Sequence, residues 1–137
     1  MFKRILVPLD GSPLAEKSLS HAQALGHKFG SHLLLLRVST TDKKNDPVTG
    51  QDPRMVYLEQ IAVDLRESGL AVECRVQGGD PSSAIIELAE SDKVDLVVMT
   101  SHGRTGLARW VYGSVAEKVL HHARCPLMFV RALESEA

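Results

Sequence analysis

Apolar residues fall on consecutive positions in four short runs of the chain: Ile5-Leu6-Val7, Leu33-Leu34-Leu35-Leu36, Leu96-Val97-Val98-Met99 and Leu127-Met128-Phe129-Val130. Unbroken runs of this length suit strands buried on both faces, the pattern of a parallel sheet covered by helices. A fifth stretch, Leu70 to Val76, alternates more and is predicted as a strand nearer an edge. Between the runs the period lengthens to three and four. Leu14, Ser18, Ala22, Leu25 and Phe29 mark one face of a helix opened by Ser12-Pro13 and closed by Gly30. Leu58, Ile61, Ala62 and Leu65 repeat the pattern between Asp52-Pro53 and Gly69, and a third helix starts at Asp80-Pro81 and carries Ile85, Leu88 and Ala89. The last runs from Ser114 through Val115, Val119, Leu120 and Ala123 and is stopped by Pro126.

The predicted order, β-α-β-α-β-α-β-α-β, describes an α/β fold with right-handed crossovers that uses residues 1–137 as one domain. Ser39 to Asp52 has no apolar periodicity and reads as a mobile loop after the second strand.

Composition narrows the classes of partner. A formal net charge of −1, with lysines and arginines scattered, gives no basic patch for nucleic acid. No apolar run approaches the roughly 18 residues of a membrane span, and the start MFKRILVPLD lacks a signal-peptide pattern, so a cytoplasmic protein without an anchor is expected. Cys74 and Cys125 stand far apart with no C-x-x-C, which suggests neither a disulfide framework nor a zinc knuckle. His121, His122 and Cys125 do not form a metal motif, because adjacent histidines point to different sides of a helix.

In open α/β sheets ligands bind beyond the carboxyl ends of the strands, where the strand order reverses. Two strand ends carry unusual residues. The first ends in Val7-Pro8-Leu9-Asp10-Gly11-Ser12, an acidic group followed by a glycine turn; Asp10 either serves a ligand or merely starts that turn. The fourth ends in Thr100-Ser101-His102-Gly103, and nine residues later comes Gly113-Ser114. Gly103 and Gly113 can bring backbone N–H groups against an anion, and Ser114 can cap the last helix and offer its hydroxyl at the helix's positive end. The bland alternative is a capped helix behind a surface loop. A Walker-type G-x-x-x-x-G-K-[ST] is absent, and the first strand is not followed by G-x-G-x-x-G.

The opening RILVPLDGSPLAEKSL, the central Gly78-Gly79-Asp80-Pro81, the stretch DLVVMTSHGRTGLARWVYGSVAEKVL and the closing HHARCPLMFVR together resemble the universal stress protein family over essentially the whole chain. That resemblance implies a Rossmann-like five-stranded parallel sheet in the order 3-2-1-4-5 with helices on both faces, and a switch point between the first and fourth strands. It also implies ATP binding. The phosphate loop of the family's ATP-binding branch reads Gly, two residues, Gly, nine residues, Gly, then Ser or Thr; this chain matches at Gly103, Gly113 and Ser114 and has Thr100 at the first glycine. By the same match Asp10 would bond ribose hydroxyls or sit near a metal, Pro8 and Leu9 would line the base pocket, and Val38 would meet adenine with its backbone. Met99 would lie against base or ribose, and Ser114 with Val115 would face the phosphates. Magnesium or manganese would accompany the triphosphate.

His102 reads as loop structure within the cradle ahead of a catalytic acid or base, since no second group orients it, and Arg104 either pairs with phosphate or is an ordinary loop charge. The last strand, residues 126–131, is expected at an edge, and the resemblance implies a homodimer through it. The leading functional reading is a module responding to ATP, AMP or ADP, with at most slow hydrolysis and a downstream protein partner. The alternative, motivated by Thr100, is a nucleotide-free dimeric scaffold.

Overall fold

The computed structural model describes residues 1–39, 52–102 and 114–132. Strands β1 (Arg4–Leu9), β2 (His32–Ser39), β3 (Ala71–Gly78), β4 (Leu96–His102) and β5 (Leu127–Ala132) form one parallel sheet in the order β3-β2-β1-β4-β5. Between them lie α1 (Pro13–Glu16), α2 (Ser18–Phe29), α3 (Pro53–Glu67), α4 (Pro81–Ser91) and α5 (Ser114–His122). The Rossmann-like order expected from the sequence is therefore the order adopted, with the alternating β3 at one edge and β5 at the other.

The unbroken apolar runs account for the core. Ile5, Leu6 and Val7 of β1, Leu33 to Leu36 of β2 and Val97 to Met99 of β4 are all 0% exposed. Each such side chain stabilises the fold by about 1.5–3 kcal/mol relative to exposure, so the three central strands dominate the energetics. Right-handed crossovers put α1, α2 and α3 over one face, and α4 packs with α5 on the other.

Three helices open with the same device, a side-chain cap followed by proline. Ser12 Oγ accepts from Ala15 N at 3.2 Å, Asp52 Oδ1 from Arg54 N at 2.9 Å and Asp80 Oδ2 from Ser83 N at 3.0 Å, while Pro13, Pro53 and Pro81 lack the N–H that would otherwise be orphaned. At α4 the Ser82 hydroxyl, then the Ser83 amide and hydroxyl, hold the Asp80 carboxyl below its ordinary value of 3.8. A depressed carboxyl contributes stability above its unfolded value and loses it as pH falls through the folded one. Asp80→Ala is thus expected to lower stability by about 1 kcal/mol at neutral pH. The two proteins should converge as the pH drops below 3.8, which urea melts at neutral and acid pH will show.

Two details differ from the sequence pattern. The first helix, expected as one continuous element, is divided at Lys17 into α1 and α2. Two hydroxyls converge there on the carbonyl of Ala15, Ser18 Oγ at 2.9 Å and Thr100 Oγ1 at 3.1 Å, and such bonds compete with the helical ladder. Phe29, placed on the buried face by its spacing, is 40% exposed and instead meets Phe2 edge-on, with ring centroids 5.3 Å apart. The last turn of α2 is set close to its neighbours by Gly26, where a Cβ would stand 3.0 Å from Leu70 Cδ2.

Among the described residues no helix is long and apolar enough to cross a membrane.

Candidate functional site at the carboxyl edge of the sheet

All five strands run parallel, so their carboxyl ends share one edge, and the topology reverses there between β1 and β4. The ladder between these two strands runs through Ile5↔Leu96 and Leu6↔Val97 and ends. On the other side β1 stays paired with β2 as far as Leu9↔Arg37, and β4 stays paired with β5 as far as His102↔Ala132. Pro8, with no N–H, contributes no donor to either neighbour. The switch point thus falls where β1 and β4 no longer bond one another.

The predicted residues of the described chain collect at this edge. Pro8 and Leu9 end β1, Asp10 follows them, Met99, Thr100 and His102 lie in the last part of β4, and Ser114 and Val115 open α5. Val38 lies one residue beyond the last β1–β2 pair, which leaves its carbonyl past the end of that ladder. Leu9 and Met99 are 0% exposed, so both are packed into the core at this edge. Ser114 is exposed and Val115 buried. Gly103, Arg104 and Gly113 lie outside the described residues, as does most of the predicted loop between Ser39 and Asp52.

Asp10 carries the most informative geometry. Its Oδ1 accepts from Ser12 N at 2.8 Å and Ser12 Oγ at 2.5 Å, fixing the turn that Gly11 makes with φ +88°. Its Oδ2 is buried and has no hydrogen-bond partner among the described residues. A buried carboxylate oxygen left unpaired costs the desolvation of a charge-bearing acceptor, so one oxygen of this side chain serves the turn while the other carries an uncompensated cost. The turn role read from the sequence is thus seen at Oδ1.

The Thr100 hydroxyl is engaged within the fold. The residue is 1% exposed, and its hydroxyl donates to the carbonyl of Ala15 at 3.1 Å, tying β4 to the end of α1. The side chain that replaces the expected glycine points into the interface with α1.

Sequence reasoning missed a second group of residues on the β2 side. Arg37 holds its guanidinium carbon 4.9 Å from the ring centroid of Tyr57 on α3. The Tyr57 hydroxyl donates to Glu16 Oε2, and burial, then this bond, raise the phenol's pKa above its ordinary value, so the hydroxyl stays protonated. Arg54 donates to Ser39 Oγ at 2.6 Å and pairs with Asp52 at 2.9 Å, joining the end of β2 to the start of α3; that pairing lowers the Asp52 carboxyl. The available signal was a charge, Arg37, interrupting the apolar run LLLLRV.

No group of three or more His, Cys, Asp or Glu side chains able to hold a metal occurs among the described residues. A hard cation at Asp10 would need further oxygens from a ligand such as a phosphate chain. A separate cavity of about 550 Å³ lies along α3 beside β3, lined by Met55, Val56, Val63 and Val76 among others. It is mostly apolar and includes none of Asp10, Thr100 or Ser114.

Known proteins share this fold. The sequence model of the Universal stress protein family matches residues 1–131. Universal stress protein Sll1388 of Synechocystis is 30% identical, over 95% of this chain and 98% of its own length. The structure of MJ0577 of Methanocaldococcus jannaschii superposes with a TM-score of 0.78 at 28% identity, covering 98% of this chain and 99% of that one. A universal stress protein in complex with cAMP gives a TM-score of 0.75, covering 96% of this chain and 98% of its own. An Arabidopsis thaliana family member with AMP bound gives 0.66, covering 98% and 94%. At 22% identity each, these last two speak for the fold alone. With the family pattern spanning nearly all of the chain and the strand order in agreement, the chain belongs to the universal stress protein family.

Proposed function

We propose that this universal stress protein binds ATP, with AMP and ADP as alternative ligands, in the crevice between β1 and β4, and acts as a nucleotide-responsive module in stress response. The observation that carries the reading is the buried, unpartnered Oδ2 of Asp10 at the topological switch point. It supplies an acceptor suited to a ribose hydroxyl or to magnesium or manganese held jointly with phosphate oxygens. The Val38 carbonyl, past the end of the β1–β2 ladder, suits the edge of a base, and Ser114 at the N-terminus of α5 suits a phosphate. The cAMP and AMP complexes of the same fold favour an adenine nucleotide over other anions. His102, Gly103, Arg104 and Gly113 complete the proposed cradle, with Pro8, Leu9, Met99, Thr100 and Val115 as its walls.

The protein works in the cytoplasm as a homodimer joined through β5, whose outer edge has no strand partner among the described residues and whose Leu127, Met128 and Phe129 are only partly covered. Calorimetric titration with ATP·Mg should give saturable binding, while turnover stays below about 1 per second, the low end of ordinary enzymatic rates. Absence of binding would favour the nucleotide-free dimeric scaffold instead.

A further inference from the structure

Arg37 is a cation with no direct ion pair among the described residues, at the edge where the proposed ligand sits. It lies in register with Leu9 of β1 and Val76 of β3, near the carboxyl end of β2. Its guanidinium makes no ion pair and no hydrogen bond among the described residues; its contact is the Tyr57 ring at 4.9 Å. It also lies on the β1–α1 turn, since a Cβ built on Gly11 would stand 3.0 Å from its Cζ and 3.0 and 3.1 Å from its two terminal nitrogens. Gly11 thus has two reasons to be glycine, the left-handed turn and the room for this side chain. Tyr57, fixed through Glu16, lies within electrostatic reach of both Arg37 and Asp10.

Two groups of opposite charge therefore stand beside one turn without bonding each other. Asp10 Oδ2 can only accept, and the five N–H groups of Arg37 can only donate. A metal ion answers only the first and an inorganic phosphate only the second. A ligand end with hydroxyl donors close to ether and ring-nitrogen acceptors answers both, and a ribose joined to a purine has that combination. Arg37 also precedes Val38 on β2, on the side of β1 away from α5, so it lies far from the end expected to hold phosphate.

We propose that Arg37, seated on Tyr57, is a specificity-determining residue that donates to hydrogen-bond acceptors on the ribose-and-base end of the bound nucleotide. The proposal rests on the nucleotide reading above and names a contact that reading does not include. The test is calorimetric titration of the full chain and of Arg37→Gln with ATP, AMP and adenosine, alongside thermal melting. Arg37→Gln should weaken all three ligands by the same factor, about tenfold, with little change in melting, because the contact is independent of the phosphates. Arg37→Lys should recover little of it, since a point charge lacks the flat fork that stacks on the ring. Should Arg37→Gln not fold, Tyr57→Leu removes the seat but keeps the cation, and a loss of about threefold for all three ligands is expected. Unchanged affinities, a loss confined to ATP, or a loss that merely follows a fall in melting temperature would overturn the role. A wild-type protein that binds none of the three overturns the nucleotide reading as well, whereas firm wild-type binding with an indifferent Arg37→Gln removes this proposal alone.

Discussion

Asp10→Asn should weaken ATP·Mg binding about a hundredfold, equivalent to about 2.7 kcal/mol, while the protein remains folded. The substitution separates the two roles of the side chain. An asparagine oxygen can still accept from Ser12 N and Ser12 Oγ, the bonds that Oδ1 makes at 2.8 and 2.5 Å, so the turn at Gly11 keeps its support. At the other position an amide NH₂ replaces the buried and unpartnered Oδ2. That group can neither accept from a ribose hydroxyl nor hold a cation, and it adds a donor facing donors. Bonds to a charged acceptor contribute about 1.5–3 kcal/mol each, which sets the size of the effect. Isothermal titration together with a urea melt checks it. Retained affinity would mean that Oδ2 has no ligand role.

Thr100→Gly should destabilise the fold by about 2–3 kcal/mol without strengthening nucleotide binding. The change restores the glycine of the family's ATP-binding pattern, so a reading based on pattern alone expects a better site. Thr100 is 1% exposed and its hydroxyl donates to Ala15 O at 3.1 Å, which gives the opposite sign. Glycine removes that bond and a buried methyl, and adds backbone freedom to a central strand. Ser18 Oγ still donates to the same carbonyl at 2.9 Å, so Ala15 is not left unpaired and the cost stays moderate. Chemical denaturation and titration of the same sample separate the two effects. A tighter complex would show that the threonine crowds the ligand.

The sheet was legible because its cause is local. Runs such as Leu33 to Leu36 are apolar on both faces, which only a doubly covered strand satisfies, and Ser-Pro or Asp-Pro pairs mark helix starts by a mechanism that needs no tertiary partner. The break at Lys17 was not legible, since it depends on Thr100, 85 positions away, reaching the Ala15 carbonyl. For the same reason spacing placed Phe29 with the buried face but could not foresee the end of α2 meeting Phe2. At the site, turn chemistry pointed to Asp10, whereas Arg37 is unusual only because Tyr57 and Gly11 arrive beside it from other elements. A residue whose role comes from convergence leaves at most a faint trace in the sequence, here one charge in an apolar run.

The hydroxyl of Thr100 joins the end of β4 to α1 directly behind the Asp10 turn, so the two walls of the crevice are pinned to each other on the side away from solvent. Such a crevice does not open like a jaw. If the proposed nucleotide binds here, selection rests on which molecule fits a gap whose inner side this bond already fixes.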